Sequence, residues 1–163
     1  MKIPIRYLPN SLSKKDKDKQ LKMLKKSRKL YKKKDFYTRK KLPSFHNKVS
    51  PHIMKAQKIY KTDRIILNTY LSKATGCSMN ALNKIVKKGE GAYFSSGSRP
   101  NQSAQSWGLA RLASSITGGK AAAVDYNILE EGCNHKKKAF KMAVSAKKKY
   151  GYGHGSTRKT NIK

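Results

Sequence analysis

The chain has 163 residues, of which 39 are Lys or Arg and 8 are Asp or Glu, giving a formal charge of +31. That length makes one domain the default and two small ones possible. The charge excludes a self-neutralised surface, because like charge at this density repels itself until a polyanion or an acidic surface relieves it. Residues 1–5 lead into charge rather than into the apolar run of a signal peptide, and no stretch approaches the roughly 20 apolar residues of a membrane span.

The charge is uneven. Residues 1–66 hold 22 basic and 4 acidic side chains, residues 67–132 hold 7 and 4, and residues 133–163 hold 10 and none. The expected organisation is mainly α: a basic N-terminal arm with one or two helices (1–66), a small helical core (67–132) and a basic C-terminal helix and tail (133–163). On this division the core should fold after removal of residues 1–50. The arms are expected to be extended and to order against a partner.

In chain order, Pro4 and Pro9 forbid a regular helix over residues 1–12. Ser13, with Asp16 three residues on, suits a helix N-terminus. Leu21, Leu24 and Tyr31 then recur at helical spacing, with Met23 and Leu30 beside them. Lys14, Lys15, Lys25, Lys26, Arg28, Lys32, Lys33 and Lys34 make the remainder a cationic face. Residues 35–51 read as an irregular arm in which Phe36, Tyr37, Phe45 and His46 alternate with Arg39, Lys40, Lys41 and Lys48. Aromatics interleaved with cations suit single-stranded nucleic acid, and equally an arm that seats rings in pockets of neighbouring subunits. A short helix is expected over 52–60.

Residues 71–89 give the sharpest local pattern: two helices around Thr75-Gly76-Cys77, with Gly76 in the left-handed cap position and Ser78 capping a helix that ends at Gly89. The pattern resembles a helix-turn-helix, with Leu82 and Ile85 inward and Ser78, Met79, Asn80 and Asn83 set to face a major groove. Residues 90–102 read as a Gly/Ser loop in which Ala92-Tyr93-Phe94 forms a short strand or tucks its rings away, and Arg99 is displayed on a turn. A helix over 104–117 carries a wide apolar face from Trp107, Leu109, Leu112 and Ile116. A second runs from 120 to about 131 with Ile128 inward, and Asp125 is expected to pair with Arg99 or Arg111. A basic helix with Lys136, Lys137, Lys138, Lys147, Lys148 and Lys149 follows, and 151–163 reads as a flexible tail.

Cys77 and Cys133 read as reduced thiols, a single disulfide between them being the alternative. Gly118-Gly119-Lys120 lacks the rest of a phosphate-cradling loop. The dispersed acids, histidines and cysteines form no catalytic or metal-binding pattern, so the expectation is a non-enzyme with no cofactor, no metal and no small-molecule substrate.

Residues 8–50 and 73–133 resemble a family of small basic proteins of large icosahedral double-stranded DNA viruses, including algal and amoebal giant viruses. The block GAYFSSGSRPNQ…SWGLARLASSITGGKA, residues 91–121, is the most specific part. The resemblance brings no activity to carry over. It implies a virion protein: a minor capsid protein on the inner face of the shell, made in the host cytoplasm. Its basic arms would contact the major capsid protein, other minor capsid proteins or an anionic inner membrane. The alternative is a nucleic-acid-binding protein, either one that condenses viral DNA or a helix-turn-helix DNA binder.

Overall fold

A computed structural model describes residues 1–152 and 158–162. The structure is mainly helical, with eight α-helices and one two-stranded sheet among the described residues. In chain order these are β1 (Lys2–Pro4), a 3-10 turn at Ile5–Tyr7, α1 (Lys14–Lys32), α2 (Pro51–Tyr60), α3 (Thr69–Thr75), α4 (Met79–Ser95), α5 (Ala104–Ile116), α6 (Lys120–Val124), α7 (Tyr126–Gly132), α8 (Lys138–Tyr150) and β2 (Lys159–Asn161).

The chain divides into two units that are discontinuous in sequence. Unit 1 comprises Met1–Lys48, Glu90–Trp107 and the described part of Ser156–Lys163; unit 2 comprises Val49–Gly89 and the described part of Gly108–Gly155. The boundaries expected at 66/67 and 132/133 therefore do not coincide with the units. The central block alone lacks the partners of its residues 90–107, so deleting 1–50 strips unit 1 of most of its chain.

In unit 1, Ser13 caps α1 by accepting the Asp16 N–H at 3.2 Å. The buried side of α1 is Asp16, Gln20, Met23, Leu24 and Ser27, at helical spacing but with polar members. Gln20 donates to the Tyr7 carbonyl at 3.2 Å and Ser27 to the Phe94 carbonyl at 3.0 Å. Those bonds make burial tolerable and explain why an apolar pattern found only part of the stripe: Leu24 and Met23 are buried and Leu21 partly so, as expected, whereas Tyr31 is exposed. The N-terminal residues are not a free arm. β1 pairs antiparallel with β2, Ile3 opposite Thr160, and Ile3 packs with Tyr7, Leu8 and Leu24. The tail expected to order only on a partner thus pairs with the chain's own start, while residues 153–157 and 163 of that expectation lie outside the described residues.

Residues 33–50 have no regular structure but are pinned. Leu42 is buried with Leu12 and Met23. Asn101, at φ 61°, accepts the Leu42 N–H at 2.6 Å and donates to the Leu42 and Phe45 carbonyls at 3.2 and 2.9 Å, acting as a one-residue strand.

In unit 2 the core is built from Tyr60, Leu71, Leu82, Ile85, Leu112, Ile116, Leu129 and Phe140, with Leu109 and Ile128 partly buried against it. Trp107, expected beside Leu109, instead packs in unit 1 against the Ile3–Leu24 cluster, edge-on to Tyr7 at 6.0 Å. Helix α4 does not stop at Gly89. It continues to Ser95, so the first part of the loop expected over 90–102 is helix and the strand alternative for 92–94 is absent, while Tyr93 is fully buried, as the alternative of tucked rings has it. Gly89 is required by close approach rather than by a helix end, since a Cβ there would lie 2.6 Å from the Gly108 backbone. The helix expected over 120–131 is two helices, broken at Asp125. That carboxylate is buried, takes the Arg111 guanidinium at 2.8 and 2.7 Å and accepts Ser115 at 3.3 Å. Of the two partners expected for it, Arg111 is the one present.

Cys77 and Cys133 are joined by a disulfide, S–S 2.05 Å, which corrects the thiol reading. The turn between α3 and α4 meets the α7–α8 junction there, with the Ser78 N–H donating to Gly132 at 2.8 Å and the Asn134 N–H to Gly76 at 2.7 Å. Residues 56 apart cannot announce such contact in sequence.

Candidate polyanion interface

The basic residues of unit 1 divide by what their backbone positions allow. Lys25, Arg28, Lys29 and Lys32 stand at helical spacing on one side of α1, and all four line a cleft of about 830 Å³. Lys2 and Arg6 reach it from the N-terminal segment, Lys159 from β2. The strand pairing brings Lys159 opposite Pro4, a juxtaposition that no local pattern could reveal. Lys2, Arg6, Lys29 and Lys159 are thus site residues that sequence reasoning missed. Lys29 alone carried a signal, the four-residue spacing from Lys25.

Among the described residues no acidic side chain lines this cleft. The ion pairs among them are Lys88–Asp125 at 3.8 Å and Arg111–Asp125 at 2.7 Å, both in unit 2. Unit 1 carries four acids, Asp16, Asp18, Asp35 and Glu90. Asp16 is held by Ser44, whose hydroxyl and N–H donate to it at 2.6 and 3.0 Å, and these bonds hold its carboxyl below the ordinary carboxylate value. Asp35 accepts the Phe36 N–H at 2.9 Å. Neither neutralises the cleft. Arg28 is positioned by two bonds to the Ser96 carbonyl, at 3.0 and 2.7 Å. Such a surface stabilises bound anions by relieving its own repulsion.

Arg39 is not part of this surface, contrary to its expected role in partner contact. It is 7% exposed. Its guanidinium donates to Ser27 Oγ at 3.0 Å, the Tyr93 carbonyl at 2.8 Å and Ser98 Oγ at 2.8 Å, and lies 3.8 Å over the Tyr93 ring. Burial pushes its pKa down, with Tyr93 opposing the shift. It is an internal clamp on the irregular segment. Lys14, Lys15, Lys33, Lys34, Lys40, Lys41 and Arg99 are exposed, and Lys26 sits over the Tyr37 ring at 4.4 Å.

At the end of α1 the chain turns back. Lys34 adopts φ 60°, the Lys34 N–H donates to Tyr31 and the Asp35 N–H to Leu30, a left-handed helix cap normally taken by glycine. The turn lays Phe36 beside Tyr31, ring centres 6.2 Å apart, and against Phe94 at 5.1 Å.

In unit 2 the helix–turn–helix is present as α3, a turn with Gly76 at φ 75°, and α4. Leu82 and Ile85 are buried, Ser78 and Asn80 exposed and Asn83 half-buried. Ser78 Oγ accepts the Ala81 N–H at 3.1 Å, so that hydroxyl is committed to capping. Lys136, Lys137, Lys138 and Lys148 are exposed, while Lys147 and Lys149 cover the Tyr126 and Tyr150 rings at 4.2 and 5.2 Å. Among the described residues no cluster of three His, Cys, Asp or Glu could hold a metal, and no helix is long and apolar enough to cross a membrane.

The model of a family of unknown function, DUF5824, matches residues 4–132. The chain belongs to this family. The DUF5824 span includes all of α1, the Arg39 clamp and the α3–α4 turn, and stops one residue before Cys133, so Lys159 and α8 lie beyond it. Neither the curated proteins nor the solved structures provide a match.

Proposed function

We propose that this DUF5824 protein binds nucleic acid through its phosphates, with the cleft on α1 as the principal contact. One observation carries the reading: among the described residues, seven basic side chains and no acidic one line the cleft. Neutralising phosphates releases condensed counterions, which gives affinity without sequence information and a steep dependence on salt. Along α1, Lys25 to Lys32 spans about 10 Å at about 1.5 Å per residue, the length of about three stacked nucleotides. The test is fluorescence anisotropy of a labelled 20-mer oligonucleotide over a salt series. The variant K25Q/K29Q/K32Q is expected to bind more weakly and to flatten the log–log salt slope by about 2, since each phosphate of a single strand left without its lysine lowers the slope by about 0.7. An unchanged slope would remove the cleft from the reading.

A second reading, a minor capsid protein that contacts the major capsid protein, is favoured by exposed apolar side chains in unit 2, Val49 at 67% and Met54 at 56%. It would be carried by folded surfaces and not by extended arms. Stepwise disruption of virions with nuclease separates the two. A capsid protein stays with the shell in fixed ratio to the major capsid protein, whereas a nucleic-acid binder leaves with the DNA.

A further inference from the structure

The geometry points to a base-stacking platform at the edge of the cleft, made by Tyr31, Phe36 and Phe94, so that the cleft takes single-stranded nucleic acid in preference to duplex. The inference rests on the phosphate-binding reading above and specifies its ligand.

Phe36 is 63% exposed, although two rings lie close enough to cover it. A phenylalanine ring that is held in place and left uncovered presents an apolar face to solvent, and its position is fixed at three points. The left-handed turn at Lys34 sets its direction, Asp35 holds its N–H, and the tilted stack on Tyr31 and Phe94 holds its ring. Tyr31 itself lines the cationic cleft, as do Ser95 and Ser96, the residues that follow Phe94. Phosphates on Lys25, Lys29 and Lys32 therefore leave the attached bases beside rings.

This pairing of a phosphate track with a ring at its margin is the physical requirement for single strands. Unpaired bases have free π-faces that stack on any aromatic ring, regardless of sequence. In a duplex the bases are already stacked and paired, so Phe36 has nothing to bind. Lys33 and Lys34 precede the ring and are exposed, and on this inference they add phosphate contacts to those of Lys32.

The experiment compares wild type, F36A, F36W and K25Q/K29Q/K32Q in binding to a dT 20-mer, an abasic 20-mer and a 20-base-pair duplex at one fixed salt concentration. Circular dichroism melts confirm that each variant folds. Wild type is expected to bind the dT strand more tightly than the abasic strand or the duplex. F36A is expected to lose roughly 5- to 150-fold on the dT strand, the range of one base–ring stack, with duplex and abasic binding unchanged. F36W is expected to retain dT binding. Equal affinity for the dT and abasic strands, or an F36A that binds dT as wild type does, overturns the platform. If the triple lysine variant still weakens all three ligands in that case, the phosphate reading survives alone. Failure to bind any oligonucleotide at low salt, with binding to phosphatidylserine vesicles instead, overturns both.

Discussion

Replacing Arg39 separates the structural account of unit 1 from the reading of this residue as a surface contact. The guanidinium makes three side-chain hydrogen bonds, to Ser27, Tyr93 and Ser98, and is 7% exposed. Bonds to a charged donor contribute about 1.5–3 kcal/mol each, and the cost of burying the charge, several kcal/mol, offsets much of the total. In R39M both the charge and its burial cost are gone. Ser27 and Ser98 also donate to the Phe94 and Arg99 carbonyls, so their hydroxyls keep partners. The Tyr93 carbonyl loses its guanidinium partner, and the segment around Leu42 loses one of its anchors, the bonds to Asn101 remaining. The expected net loss is about 3 kcal/mol, within the range for a broken buried polar network. R39K is expected to fall between, because an ammonium cannot serve all three acceptors at the guanidinium's geometry. Trp107, the chain's single tryptophan, lies in unit 1 and reports its unfolding without interference. Thermal melts followed by its emission should show R39M lower by at least about 10 °C. An R39M melt that overlays wild type would refute the clamp. An unchanged melt together with weaker oligonucleotide binding in the same variant would restore Arg39 to the surface.

Other perturbations test separate links. Replacing Cys77 and Cys133 by serine removes a cross-link between residues 56 apart, and the chain-entropy relation gives a loss of up to about 4 kcal/mol in urea unfolding without reductant. Dithiothreitol should reproduce that loss in wild type and leave the serine variant unaffected. The Asp16 carboxyl is held below its ordinary value of 3.8 by Ser44, so its contribution is present above that pH and is lost as pH falls through the depressed value. The acid limb of the Trp107 melt should therefore be shallower in D16N than in wild type. Lys34 occupies a left-handed conformation at φ 60°, and K34G is expected to stabilise unit 1 by up to about 1 kcal/mol in the same assay.

Local chemistry made several elements legible. Ser13 with Asp16 marked the start of α1, Gly76 and Ser78 marked the α3–α4 turn, and the apolar face of residues 104–117 marked α5. What stayed hidden depends on distance in sequence. Arg39 looked like any other cation of a basic arm because its partners come from residues 27, 93 and 98. The continuation of α4 through Gly89 and Gly91 contradicted propensity. At Gly89 it is allowed because the glycine meets the Gly108 backbone where no side chain fits. The cleft was half legible: the lysine spacing on α1 could be read, whereas Lys159 enters through a strand pair between the two ends of the chain. The interleaving of rings and cations over residues 35–51 suited base stacking and pockets of neighbouring subunits equally, and nothing in it foretold that the turn at Lys34 lays Phe36 against Tyr31 and Phe94.

The most direct test of the central claim is ultraviolet cross-linking of the full chain to a dT 20-mer, with mass spectrometry of the cross-linked peptides. Adducts at Tyr31 and Phe36, abolished in K25Q/K29Q/K32Q and at high salt, are the result predicted for strand binding in the unit 1 cleft. Adducts confined to the exposed start of α4, around Ser78 and Asn80, or no adducts at low salt, would contradict it.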